Sequence, residues 1–454
     1  MKAIFTTLLC CLFFQMPVSA SNGRKLMKQV LRNIKAPEFP KRNFNIKDYY
    51  NGSDTLYTAA INQAIETCSA AGGGRVVVPA GTFKTAPLRM RSNVNLHLSD
   101  GAVLKFTDDR RLFPIVLTRI EGIDCYNLSP LIYAYGETNI AVTGKGHIDG
   151  GATKTNWFTL DFMYPMIGGE RRNEKYVLDS MLNNNAPMVD RYFTCDKGYR
   201  PQTIHFYKCK NILLEDFEIN NAPFWLIHPL LSENITVRRV TMKSHFSNND
   251  GCDPESCKNV LIEDCYFDTG DDCIAIKSGK DDDGRRWNIP SENIIVRGCR
   301  MKDGHAGVAI GSEISGSCHN VWVENCKMDS PNLVRIIRMK SNPRRGGEIS
   351  NVFVNNVEVG VCELAILGIE LKYWKTTEGN YPPHFHNVHL RNITSKGSRY
   401  VLHVDGFEDK MLANNISFTN CNFSGVSEPE INSVVGADGV KFIKVKVNGH
   451  PYKW

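Results

Sequence analysis

The chain has 454 residues, of which 42% are hydrophobic and 22% are charged, and its formal net charge is +6. This is enough apolar material for a large buried core. No basic run is longer than two residues, which argues against a nucleic-acid-binding protein, whereas a mildly positive surface suits an acidic ligand.

The first twenty residues have the pattern of a signal peptide. Lys2 is followed by a nearly continuous apolar run from Ala3 to Phe14, and Val18-Ser19-Ala20 resembles a cleavage site. The run is too short for a membrane span, which needs about 20 apolar residues. We expect residues 1–20 to be removed and residues 21–454 to be secreted, extracellular or periplasmic, with no membrane span.

One helix is predicted near the start of the mature chain. Residues 58–71 place apolar side chains at helical spacing, and Gly72-Gly73-Gly74 ends the segment. The run Val76-Val77-Val78-Pro79 then begins a strand, the first that the sequence predicts. We expect the helix to cap the open end of a repetitive structure.

A repeated phrase organises the rest of the chain. It consists of Asn, then alternating aliphatic and other residues over about five positions, and its period of 23 to 36 residues is that of a solenoid. Weaker copies begin at Asn93 and Asn139, and the clear copies begin at Asn211, Asn234, Asn259, Asn293, Asn320, Asn351, Asn387 and Asn415. Short strands that start with the same Asn predict an all-β parallel β-helix, in which asparagines of adjacent coils form a hydrogen-bonded ladder.

The repeat is interrupted between Trp157 and Arg200 by a long polar and aromatic stretch. We interpret residues 157–200 as an insertion on a single β-helix domain that spans residues 21–454. An insertion over the cleft would close one end of it, which favours attack on chain ends.

Thirteen cysteines remain after removal of Cys10 and Cys11 from the fifteen in the chain. Several recur at one position of the repeat, namely Cys265, Cys299, Cys326 and Cys421. Equivalent positions on successive coils predict a buried stack of free thiols rather than disulfides. No spacing matches a zinc site, so no metal and no cofactor are expected.

Three aspartates are the strongest candidates for chemistry. Asp250 precedes the strand at Asn259, and Asp271 and Asp272 follow that strand. The separation of 22 residues between Asp250 and Asp272 is about one coil, which places the three carboxylates on neighbouring coils. Crowded carboxylates hold their protons with different strengths, as glycoside hydrolysis requires.

Three cationic or imidazole groups continue this spacing. His305 lies 33 residues after Asp272, and Arg338 lies 33 residues after His305. Strand alternation places Arg338 and Lys340 on one face, where they would balance the aspartates and bind a substrate carboxylate.

Together these motifs resemble the polygalacturonase family of glycoside hydrolases, in order and over nearly the whole mature chain. The motifs that carry the resemblance are Asn248-Asn249-Asp250, Gly270-Asp271-Asp272, Gly304-His305 and Arg338-Met339-Lys340. The resemblance implies a right-handed parallel β-helix that hydrolyses α-linked galacturonic acid in pectin, a plant cell-wall polysaccharide, with inversion.

The resemblance also implies roles for the catalytic residues. Asp271 would be the general acid, Asp250 and Asp272 would activate the attacking water, and His305 would assist the acid. Arg338 and Lys340 would hold galacturonate carboxylates. Asn248 and Tyr373 would be further substrate contacts.

The chain departs from the family pattern at three positions. Asn249, Ala306 and Met339 stand where the family usually has Thr, Gly and Ile. Asn249 and Met339 should point away from the cleft, while the methyl group of Ala306 could narrow it.

Other functions remain open at this point. Within hydrolases, the substrate could be rhamnogalacturonan or a substituted galacturonan. A pectate-type lyase would use the aspartates to bind Ca²⁺ and an arginine as the base. A glycan-binding β-helix without activity is a third alternative. A monomer that binds an acidic polysaccharide fits the pattern best.

Overall fold

The computed structural model describes residues 20–158, 166–167, 170–171, 174–196, 198–429 and 433–452. The predicted signal peptide lies outside these residues except for Ala20. Four α-helices occur in the described ranges: α1 (Ala20–Asn33), α2 (Thr58–Ala70), α3 (Glu174–Asn183) and α4 (Asp281–Trp287). None of the described helices is long and apolar enough to cross a membrane.

The strands stack as coils of a parallel β-helix, as the sequence predicts. One 25-stranded sheet, called here the long sheet, contributes two strands to most coils. Its strands are Asn43–Asn45, Gly74–Val78, Gly81–Thr85, Val94–Leu98, Ala102–Phe106, Thr138–Thr143, His147–Asp149, Lys210–Glu215, Glu218–Asn220, Glu233–Arg238, Thr241–Ser244, Lys258–Glu263, Tyr266–Thr269, Ser291–Arg297, Arg300–Asp303, Cys318–Glu324, Lys327–Met328, Glu348–Val359, His384–Ser395, Ala413–Thr419, Asn422–Phe423, Ala437–Asp438, Lys441–Ile443, Lys446–Val447 and His450–Pro451.

A second set of parallel strands, called here the cleft sheet, supplies the third strand of each coil. Its first half is Leu88–Arg89, Ile132–Tyr135, Ile204–Tyr207 and Ile227–Leu230. Its second half is Ile274–Ile276, Ala306–Ile310, Arg335–Lys340, Ala365–Glu370 and Tyr400–Asp405. Single bridges at Cys252 and Glu255 join the halves.

Two antiparallel hairpins project from the coils. Their strands are Ile115–Ile120 with Ile123–Leu128, and Met166–Ile167 with Glu170–Arg171.

The asparagine ladder holds successive coils in register. The ladder asparagines have positive φ, as at Asn293 (61°) and Asn351 (58°), a conformation that Asn tolerates better than most residues. Most of these side chains bond the next, for example Asn320 Nδ2 to Asn293 Oδ1 at 3.1 Å. The ladder turns the chain into each strand and satisfies amide groups that lie between coils.

The core is filled by aliphatic side chains stacked in register, such as Ile212, Ile235 and Val260. The recurring cysteines Cys265, Cys299 and Cys326 belong to this core, and all of the cysteines in the described residues are free thiols. The predicted thiol stack is therefore confirmed. Burial raises the pKa of the Cys299 thiol well above its usual value, so this thiol is a poor nucleophile.

The helices differ in how well the sequence predicted them. Helix α2 spans the predicted segment within one residue. Helix α1 was not predicted, and its Met27 and Val30 pack on Trp322 and Phe353 of the long sheet's outer surface. The first strand is Asn43–Asn45, before the predicted start at Val76, because it pairs with Arg75 to Val77.

Removal of one rung of the ladder should destabilise the fold. Asn320→Ala loses bonds to Asn293 and Asn351 and places an alanine, which disfavours positive φ, at a φ of 61°. We expect a loss of about 2–4 kcal/mol in chemical unfolding. Asn320→Gly is the matched control, because it keeps the backbone conformation and loses only the ladder bonds. A loss below about 0.5 kcal/mol for Asn320→Ala would contradict this account of the ladder.

Candidate active site

The candidate site lies on the outer surface of the cleft sheet, where its two halves meet. Asp250 begins the segment that bridges the halves, because Cys252 pairs with both Ile227 and Ile274. Gly251 is required for this approach: a Cβ there would lie 2.5 Å from the backbone oxygen of Cys273 on the next coil. The coils therefore pack closely enough to bring acids of adjacent coils together.

The structure brings the three predicted aspartates together. One carboxylate oxygen from each of Asp250, Asp271 and Asp272 lies within 4.8 Å of the other two. Asp250 and Asp272 are buried, and the side chain of Asp271 is 20% exposed. The most accessible of the three is thus the residue for which the resemblance implies the acid role.

His305 is paired with Asp271. Its Nδ1 lies 2.9 Å from Asp271 Oδ1, and this hydrogen bond raises the pKa of His305. Burial opposes ionisation of Asp271, but the hydrogen bond and charge of His305, the charge of Lys340 and the bond from the Asp272 N–H together outweigh it and lower the pKa of Asp271 to about 2. In the substrate-free protein the pair therefore holds one proton, on His305, a single hydrogen bond away from Asp271.

The two predicted cations are held by two different acids. Lys340 Nζ donates to Asp272 Oδ2 at 2.7 Å, and Arg338 forms a two-point contact with Glu370 at 2.8 and 3.3 Å. Burial disfavours the charged form of both cations, but these acids outweigh it and raise both pKa values. The Tyr373 ring centre lies 5.6 Å from Lys340 Nζ, so the predicted tyrosine also reaches this group.

Asn248 lies at the rim of the site, where its Oδ1 accepts a 2.8 Å hydrogen bond from Arg200. The two residues expected to point away do so: Asn249 bonds the buried backbone of Ala222, and Met339 lies in the core. Ala306 is fully buried, so its methyl group does not reach the cleft. The expectation that it could narrow the cleft is wrong.

A buried charge cluster lies beneath Asp250 and was not predicted from the sequence. Lys277 Nζ lies 3.7 Å from Asp250 Oδ2, 3.7 Å from Asp253 Oδ2 and 3.3 Å from Glu313 Oε2. Lys277 pairs in register with Glu255 at the end of a short apolar strand. Strand alternation after Ala275 was the signal that could have placed it on the outer face.

A β-hairpin packs beside the site. Strands Ile115–Ile120 and Ile123–Leu128 are joined by Glu121 and Gly122, whose φ values of 44° and 83° are those of a tight hairpin turn. The hairpin packs against helix α3 through a shared apolar cluster that includes Ile123 and Leu178. This hairpin was not predicted from the sequence.

Buried ion pairs fix the hairpin to its surroundings. Arg119 donates to Asp124 at 2.7 Å and to Glu255 of the cleft sheet at 2.9 Å. The Asp124 backbone N–H donates to Asp283 at 2.9 Å, and Arg191 reaches the same carboxylate at 2.6 Å. Asp283 belongs to α4, where it and Gly284 are buried.

The hairpin tip contacts the charge cluster directly. Lys280 N donates to the Gly122 oxygen at 3.1 Å, and a Cβ on Gly122 would lie 2.9 Å from Glu313 Cγ. Lys280 also forms an ion pair with Asp179 of α3. The hairpin, α3 and α4 thus form one wall beside the site. The side chains of Glu313 and Lys277 lie between this wall and Asp250.

A parallel β-helix that carries three clustered carboxylates, an imidazole and two cations on one open face defines a glycoside hydrolase of acidic polysaccharides. The sequence pattern of glycosyl hydrolases family 28 matches residues 191–438. The chain therefore belongs to this family, and the polygalacturonase resemblance is confirmed.

Individual relatives agree with this assignment. A hyperthermoactive exopolygalacturonase from Thermotoga maritima is 35% identical, with a TM-score of 0.87 over 95% of this chain and 97% of that one. An exo-poly-alpha-D-galacturonosidase of Dickeya chrysanthemi is 27% identical over 90% of this chain and 72% of its own length. A probable polygalacturonase of Vitis vinifera is 28% identical over 73% of this chain, which spans 62% of that relative's length.

The His305–Asp271 pair should set the alkaline limit of activity. Because the pKa of His305 is raised, the pair keeps its proton above the usual histidine value of about 6.5 and loses it as the pH rises further. We expect kcat/KM to fall with that loss, and His305→Asn to lower kcat/KM and move the alkaline limb to lower pH.

The matched control is His245→Asn. His245 is as exposed as His305 (51% and 52%) and is also bonded to an aspartate, Asp268, at 2.7 Å. Its replacement should leave the pH profile unchanged. An unchanged alkaline limb in His305→Asn would contradict the role assigned to the pair.

Proposed function

We propose that the protein is an exo-acting polygalacturonase that releases short products from the ends of galacturonan chains. The observation that carries the exo assignment is the hairpin tip at Gly122, which packs against Glu313 and forms a wall beside the catalytic carboxylates that we propose closes one end of the cleft. A long polymer cannot pass through a cleft closed at one end. Only a chain terminus can then reach Asp271.

The acid half of the reaction uses the proton of the His305–Asp271 pair. As substrate displaces water from the partly exposed Asp271, desolvation favours its neutral form, and the proton passes across the 2.9 Å hydrogen bond. Asp271 then protonates the glycosidic oxygen of the leaving group. His305 restores the proton from solvent, to which its ring is open.

The base half uses the buried carboxylates. Asp250 and Asp272 hold the attacking water between them and accept its proton as the water adds to the anomeric carbon. Arg338 and Lys340 bind the galacturonate carboxylate. Glu370 orients the Arg338 guanidinium group for this contact. Each cation already faces an acid, so the substrate carboxylate completes a charge network rather than entering a bare cationic pocket.

We further propose that the protein acts as a secreted monomer after removal of residues 1–20. The sequence of the leader supports export, and the acidic polymer proposed as substrate lies outside the cell.

Product analysis tests the exo assignment. Pure protein with polygalacturonate in chelator should release saturated monomer or dimer from the first minutes, while viscosity falls slowly. Asp271→Asn, expected to lower kcat by about 10²–10⁴, is the blank for contaminating activity. An early viscosity drop with mixed oligomers would contradict exo action. An unsaturated product lost in chelator would indicate a lyase, and release only from rhamnogalacturonan would reassign the substrate.

The anomer of the first product tests the stereochemistry. We expect the β-anomer to appear first by proton NMR before it mutarotates, because the family resemblance implies inversion by a single water attack. The oxygens of the three aspartates approach within 4.8 Å. This limit joins the nearest oxygens and is therefore shorter than the separation of whole carboxyl groups, which is usually about 6.5–9.5 Å in inverting enzymes. The α-anomer as first product would instead indicate a covalent intermediate.

A further inference from the structure

The buried cluster beneath Asp250 has more acid than base. Asp250 and Asp253 lie at the same distance from Lys277, and Glu313 lies closer to it. Neither carboxylate oxygen of Asp253 has a hydrogen-bond partner among the described residues, although the side chain is fully buried. A buried acid with a single distant cation is costly, which suggests that the arrangement serves the adjacent site.

Lys277 is fixed where its charge acts on Asp250. Its side chain is 4% exposed, so it does not face the solvent of the cleft, and its Nζ lies 4.4 Å from the centre of the Trp225 ring. Among the described residues it is the one cation paired with Asp250. The other charged groups that face Asp250 are acids, namely Asp253, Asp271 and Asp272.

We propose that Lys277 is a positioning residue that holds Asp250 in its ionised, base-competent form, and that Asp253 acts in the opposite direction. This rests on the proposed function only in taking Asp250 as a general base. The ammonium favours the charged carboxylate, and the second carboxylate disfavours it. Asp253 thus limits how strongly Asp250 holds a charge, which keeps it able to accept and return a proton during each turnover.

The electrostatics of the site agree in sign. Burial raises the pKa of Asp250 well above its usual value, and the charges of Asp253 and Asp271 raise it further, while Lys277 lowers it. Burial disfavours the charge on Lys277, but Asp253, Glu313 and Asp250 outweigh burial and raise its pKa well above the usual lysine value. Lys277 therefore stays charged throughout the range in which Asp250 titrates.

The test is a pair of substitutions with opposite expected effects. Lys277→Met removes the positive charge with similar length, so the acid limb of kcat/KM should move to higher pH. At pH 5 we expect at least a tenfold loss, because moving the limb by one pH unit lowers the ionised fraction of Asp250 about tenfold on its acid side. The loss should shrink as the pH rises and Asp250 ionises. Asp253→Asn removes the like charge at constant shape, so the acid limb should move to lower pH. The double variant should lie between the two.

A merely structural role would lower activity equally at every pH. Unchanged acid limbs, or shifts in the same direction for both variants, would overturn the proposal. If Lys277→Met does not fold, judged by its thermal unfolding midpoint, Asp253→Asn decides alone: a downward shift supports the proposal and an unshifted limb overturns it.

A second readout does not depend on turnover. Carbon NMR of protein labelled at aspartate carboxyls follows the ionisation of Asp250, assigned by its loss in Asp250→Asn. The Asp250 titration should move up in Lys277→Met and down in Asp253→Asn. If these shifts occur but wild-type protein hydrolyses no galacturonan, the proposed function fails while the charge coupling stands. If hydrolysis occurs without the shifts, the coupling fails and the function stands.

Discussion

The fixed stacking of one coil on the next is the constraint on which the rest of this protein depends. Backbone bonds and the asparagine ladder hold residues of successive coils side by side, as at Asn293 and Asn320. Residues about 20 to 35 positions apart in sequence therefore become neighbours at strand spacing. The same register that packs aliphatic side chains inside the solenoid aligns carboxylates and cations outside it. One repeat therefore determines both the fold and the site.

This alignment explains why the site is electrostatically dense. Side chains on the outer face of one coil meet those of the next coil at contact distance, as His305 meets Asp271. Charges packed this closely cannot be treated singly, because each one changes the protonation of its neighbours. The proton on His305, the ionised Asp271 and the strongly raised pKa of Asp250 are three results of a single network.

Elements added to the coils decide what reaches this network. The hairpin, α3 and α4 leave the solenoid at three different coils and meet beside the site. Asp124 and Asp283 join the hairpin to α4, and α3 joins them through Asp179 and Lys280. Buried pairs of this kind contribute less to stability than to a single fixed arrangement. A fixed wall is what the proposed selection of chain ends requires, because a wall that moved would admit internal segments of polymer.

The sequence by itself determined the repeat, the fold class, the thiol stack and the grouping of the three aspartates with His305, Arg338 and Lys340. It could do so because strand alternation and coil register are local rules, repeated at every coil. Only the tertiary structure decided how segments outside the repeat pack: the burial of Asp283 in α4, the docking of the hairpin and the sharing of Lys277 among three acids. Those outcomes depend on contacts between segments that no local period relates, so their residues carry no pattern that predicts their partners.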